Sequence, residues 1–125
     1  LLSGHSGAYN VLSACVAQGG LDENVTEVGL LDASYAQLDP FVDWVVRRKD
    51  ARFFSIFTDH LAARNVYLMT HMKKKSVSYE LLDAEDATDD IVARSRVLFL
   101  HASKLTHDQT VSWLEKWLKG SRPAK

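Results

Sequence analysis

Apolar residues in this chain gather into short runs separated by stretches of helical spacing. Glu27 to Leu31 reads as a strand buried on both faces, Arg52 to Phe57 as another buried strand rich in Phe and Ile, and Arg96 to His101 as a further strand. Ser76 to Leu82 predicts a shorter strand, and Leu1-Leu2-Ser3 reads like the tail of one. Between these runs, residues from about Ala8 to Gln18 are small and apolar and stop at Gly19-Gly20, a helix C-terminal signal. Asp39-Pro40 predicts a capped helix start, with Phe41, Val42, Val45 and Val46 turned inward. Leu61 to Lys74 predicts a helix that buries Leu61, Leu68, Met69 and Met72. Gln109 to Lys119 predicts another, with Val111, Leu114, Trp117 and Leu118 at helical spacing and Trp113 and Trp117 against the sheet. Asp83 to Asp90 reads as a solvated acidic loop, with Asp89 or Asp90 capping a short turn. Strands alternating with helices predict an α/β fold, three layers around a mainly parallel sheet.

Composition narrows the function classes. The chain has 125 residues, 46% of them hydrophobic, enough for one domain and short for two. Fifteen basic residues against sixteen acidic ones give a net charge of −1, with no excess to draw the chain to nucleic acid. Cys15 is alone, which excludes a disulfide scaffold and reads as a helix core residue. No apolar run reaches the ~20 residues of a transmembrane helix. Lys73-Lys74-Lys75 closes a predicted helix, where the helix dipole explains it. His60, His71, His101 and His107 lack zinc-motif spacing, and no Gly-rich phosphate loop is present, so neither a metal nor a cofactor is expected.

In parallel sheets chemistry collects where strands end and helices begin, and such ends carry polar residues here. Ser3-Gly4-His5-Ser6-Gly7-Ala8 joins a strand tail to a helix of small residues. Asp32 ends the second run, Asp59 follows the Arg52–Phe57 run, and His107 lies between the last strand and the last helix, with His101 a rival at that strand's end. Gly4-His5-Ser6-Gly7-Ala8 resembles the Gly-x-Ser-x-Gly nucleophile elbow of the α/β-hydrolase superfamily, departing from it in Ala8, which is still small. The order Ser6, then Asp32 or Asp59, then His107 matches the Ser…Asp…His order of that superfamily.

The resemblance implies a serine hydrolase acting on an ester or amide. Ser6 would be the nucleophile, His107 the base, and the Gly7 N–H part of an oxyanion hole. Asp59 occupies the usual slot of the acid. Asp32 is preferred, because it ends the strand expected beside the elbow strand and no helix start follows it at once. Residues after Tyr35 and the loop Asp83–Asp90 are the expected pocket edges. The resemblance covers the second half of the family's fold, so residues 1–125 are expected to be the C-terminal portion of one domain. Its N-terminal half would then be supplied by the same precursor or by a second chain. A catalytically inactive domain of this fold, serving binding or regulation, is the alternative.

Overall fold

The computed structural model describes residues 2–17, 25–34, 36 and 38–119, with the side chains of residues 9–11 outside that description. The expected helix stop at Gly19-Gly20 lies outside the described residues, as do Leu1 and Tyr35.

Five strands form one parallel sheet: β1 (Leu2–His5), β2 (Glu27–Leu31), β3 (Arg52–Phe57), β4 (Glu80–Asp83) and β5 (Val97–His101). Their spatial order is β1-β2-β3-β5-β4, so the connection from β3 to β4 passes the place that β5 fills. The helices are α1 (Tyr9–Ala17), α2 (Asp39–Arg47), α3 (Ala62–Lys74), α4 (Asp89–Arg94) and α5 (Trp113–Lys119). Alternate strand residues point to opposite faces. Val28, Leu30, Phe53 and Phe99 join Leu12, Phe41, Trp44 and Leu68 in one core cluster. Phe54, Ile56, Leu98 and Leu100 join Val92, Trp113 and Trp117 in the other. The fold is therefore a three-layer α/β/α domain with α1, α2 and α3 on one face and α4 and α5 on the other. Among the described residues, no helix is long and apolar enough to cross a membrane.

Several local expectations shift. Asp39 caps nothing: Leu38 holds the N-cap position of α2 without a side-chain bond, and the Asp39 carboxylate accepts from the Tyr67 hydroxyl instead. Trp44 rather than Val46 is fully buried on α2, since Val46 sits beside the solvent-facing side of the stripe. The fourth strand is shorter than expected, and the acidic stretch contains its end, a 3-10 turn at Ala84–Asp86 and the start of α4. Thr88 caps α4, its Oγ1 accepting the Ile91 N–H, while Asp89 and Asp90 occupy the first turn. The last helix begins as a 3-10 segment, Asp108–Ser112, before α5. That tighter winding moves the buried stripe. Trp113 and Trp117 are buried, whereas Val111 and Leu118 are exposed. Trp117 stacks on Phe54 with ring centroids 4.5 Å apart, as expected of an aromatic turned to the sheet. Cys15 is half-buried rather than a full core residue.

Candidate functional site

All strands run the same way, so the C-terminal ends of β1, β2, β3 and β5 share one edge of the sheet. His5 pairs in register with Leu31, Leu31 with Ile56, and Phe57 with His101. The next residues along the chain therefore leave the sheet side by side.

Ser6 leaves β1 with φ at 57°, in the left-handed region that L-residues rarely occupy, and opens the 3-10 turn Ser6–Ala8 that leads into α1. A Cβ placed on Gly4 would lie 2.7 Å from the Ala8 Cβ and 2.8 Å from a Leu12 methyl. Strand and helix thus approach so closely that only glycine fits at the first motif position, while the alanine methyl at the last one fills the space opposite. The Ala8 departure is accommodated by packing. Gly7 is exposed, and a Cβ there would meet nothing within 4 Å, so sterics do not demand glycine at that position.

Asp32 follows β2 with φ at 50° and is wholly buried. Its N–H still donates to the Ile56 carbonyl, extending the β2–β3 ladder by one bond. A buried carboxylate must be satisfied, and this one is. Oδ1 accepts the Thr58 N–H at 2.8 Å, and Oδ2 accepts the Thr58 hydroxyl at 2.8 Å. His107 Nδ1 completes the set, 2.5 Å from Oδ2.

His107 arrives on the turn after β5. Thr106 and Gln109 bracket it with reciprocal bonds, Thr106 N–H to the Gln109 side chain and Gln109 N–H to Thr106 Oγ1. This is the capping box of a Thr-x-x-Gln sequence, which fixes the backbone on both sides of the imidazole. The His107 carbonyl accepts from Thr110 Oγ1 at 2.7 Å and from His5 Nε2 at 2.9 Å. The His5 and His107 ring centroids lie 4.4 Å apart, which ties the His107 turn to the residue preceding Ser6. Among the described residues the Ser6 hydroxyl makes no hydrogen bond to His107.

The second acid and second histidine pair with each other. His101 Nε2 lies 2.5 Å from Asp59 Oδ1, and its Nδ1 lies 3.8 Å from Asp83. Asp59 is largely exposed where Asp32 is not. The structure thus sorts the candidates into Asp32–His107, whose carboxylate is buried, and Asp59–His101, whose carboxylate is exposed, while the two histidines are about equally half-buried.

Three participants escaped the sequence reading. Thr58 holds both oxygens of Asp32, and its hydroxyl also meets His60 Nδ1 at 2.7 Å. His5 and His60 flank the His107 ring, His60 with a centroid separation of 5.6 Å. The run Thr58-Asp59-His60 directly after a strand was the available signal. Two clefts lie at the expected pocket-edge stretches, and neither is lined by Ser6, Asp32 or His107. Ala36, Leu38 and Asp39 line one of about 460 Å³ with Arg64 and Tyr67, and Ala84, Glu85 and Ala87 line one of about 230 Å³ with His101. Comparison with known proteins finds no matching family model, no matching curated protein and no matching solved structure.

Proposed function

We propose that this chain is a serine hydrolase acting on an ester or amide by way of an acyl-enzyme. One observation carries the reading: His107 Nδ1 contacts a buried, fully hydrogen-bonded carboxylate, Asp32, at the same sheet edge as a serine held at positive φ. In the proposed reaction Ser6 Oγ attacks the carbonyl carbon while His107 Nε2 takes its proton. Asp32 holds the imidazole in the Nδ1–H tautomer and stabilises the imidazolium as it forms. The proton then passes to the leaving alcohol or amine, the carbonyl re-forms, and Ser6 carries the acyl group as an ester. Water repeats the cycle, giving its proton to His107 and releasing the acid. The Gly7 N–H, at the turn into α1, is the proposed donor to the oxyanion. Neither metal nor cofactor is required by this scheme, and the substrate is proposed only as an acyl compound.

A fluorophosphonate probe tests the reading, because it traps only a serine whose hydroxyl is activated by a base. Covalent labelling of the intact chain that disappears in Ser6→Ala is the expected result. Absence of labelling, or labelling that persists in Ser6→Ala, overturns it and leaves the binding or regulatory role. Repeating the assay with any partner chain that co-purifies addresses the proposal that a second half of the domain completes the site.

A further inference from the structure

We propose that Asp32, His60 and His107 form a binding site for a divalent cation of the zinc type. We propose further that its occupancy switches off the base; this second part rests on the hydrolase reading, the first does not. Each of the three residues offers one ligand atom, and these atoms all lie within 4.8 Å of one another. Asp32 Oδ2 is 2.5 Å from His107 Nδ1 and 3.8 Å from His60 Nε2. Zinc binds such atoms at about 2.0–2.1 Å, so the edges of its tetrahedron are about 3.3–3.4 Å. One observed edge is shorter than this and the other longer. Small swings of two partly exposed imidazole rings bring both into range.

The donor set, two imidazoles and one carboxylate, is of the kind that zinc prefers. Its orientation is prepared by a single residue. The Thr58 hydroxyl has one hydrogen, and it goes to Asp32. The bond between Thr58 Oγ1 and His60 Nδ1 must therefore be donated by the imidazole. That tautomer puts the lone pair of His60 on Nε2, the nitrogen on the Asp32 side. Thr58 also fixes Asp32 through Oδ1. A ligating histidine whose other N–H is anchored, beside a carboxylate that is itself hydrogen-bonded, is the usual outer shell of a metal site. Sequence spacing does not reveal the set, because its members come from three separate strand ends. His5, His107 and Asp108 form a rival cluster at similar separations, but its carboxylate is exposed and His5 Nε2 already donates to the His107 carbonyl.

The chemical conflict lies at His107 Nδ1. That atom carries the proton directed at Asp32 when the ring serves as a base. A cation bound there needs its lone pair, so the ring proton resides on Nε2 instead. A protonated Nε2 cannot accept the proton of Ser6, and the nucleophile stays neutral.

The test is titration of the full chain with Zn²⁺ alone against a competing chromophoric chelator. One equivalent is expected to bind, and His60→Ala, at a half-exposed position, is expected to weaken binding by about tenfold or more. Asp108→Asn is expected to leave it unchanged. Affinity unaltered in His60→Ala, or lost in Asp108→Asn, overturns the site; circular dichroism of each variant excludes misfolding as the cause. Zn²⁺ is also expected to slow fluorophosphonate labelling of the intact chain far more than that of His60→Ala. Labelling that ignores saturating Zn²⁺ overturns the coupling. A chain that binds Zn²⁺ at this site and never labels overturns the hydrolase reading and supports the site.

Discussion

Asp32 and His107 stand 75 positions apart in the chain, yet the carboxylate of one takes the ring N–H of the other at 2.5 Å. Thr58 supplies the two further bonds that hold the carboxylate in place. Replacing Asp32 by Asn substitutes an amide that cannot stabilise the imidazolium and favours the wrong tautomer. Asp32→Asn is expected to slow fluorophosphonate labelling by about three to four orders of magnitude. Asp59→Asn, which breaks only the exposed pair with His101, is expected to stay within about threefold of the parent, as surface ion pairs contribute little. Equal, mild effects of the two substitutions would remove Asp32 from its proposed role.

The close approach of Gly4 to Ala8 makes a stability prediction independent of catalysis. Gly4→Ala introduces a methyl 2.7 Å from the Ala8 Cβ, which forces β1 and α1 apart. The expected cost is about 1–3 kcal/mol, read from urea unfolding. Gly7→Ala meets no atom and is expected to change stability by less than about 0.5 kcal/mol.

Away from the site, Arg52 and Glu27 face each other at the paired starts of β3 and β2, both almost wholly buried. Arg52 Nη1 meets Glu27 at 2.8 Å, its other nitrogens meet the Ser95 and Val92 carbonyls, and its guanidinium lies 4.0 Å from the Trp117 ring centroid. Removing one partner strands the other charge in the core. Glu27→Ala is expected to cost about 3–5 kcal/mol in denaturant unfolding, a large share of the ~5–15 kcal/mol that holds a domain together. A loss below about 1 kcal/mol would mean that the arginine finds compensation elsewhere.

The Tyr67 phenol is pushed up from its ordinary pKa, first by its hydrogen bond to Asp39, with desolvation and the carboxylate's charge acting the same way. At a given alkaline pH this phenol is therefore less ionised than a free tyrosine. Asp39→Asn removes the charge and is expected to move the ultraviolet titration of Tyr67 to lower pH. No movement would show that the bond is not formed in solution.

The layering and the parallel sheet were legible because β2, β3 and β5 are continuous apolar runs, a pattern that only a sheet covered on both faces explains. Asp32 is buried and Asp59 exposed, a difference that was invisible from sequence. What stayed hidden depended on pairing across the sheet. Glu27 and Arg52 open their strands as ordinary charged residues, and only their register shows that they neutralise each other. Thr58 reads as a turn residue until Asp32 is placed beside it. The exposure of Val111 follows from a 3-10 turn whose tighter winding a 3.6-residue period does not anticipate.

Ser6 and Asp32 leave neighbouring strands through the same uncommon backbone conformation, and neither is glycine. For an L-residue that conformation costs about 1–2 kcal/mol, though Asp bears it better than most. At position 6 a glycine would make the chain more comfortable and take the hydroxyl away. Any search for hardier variants of this domain, judged by melting temperature alone, would therefore be drawn toward erasing the one hydroxyl on which the proposed chemistry depends. A screen that rewards rigidity has to be paired with one that rewards turnover.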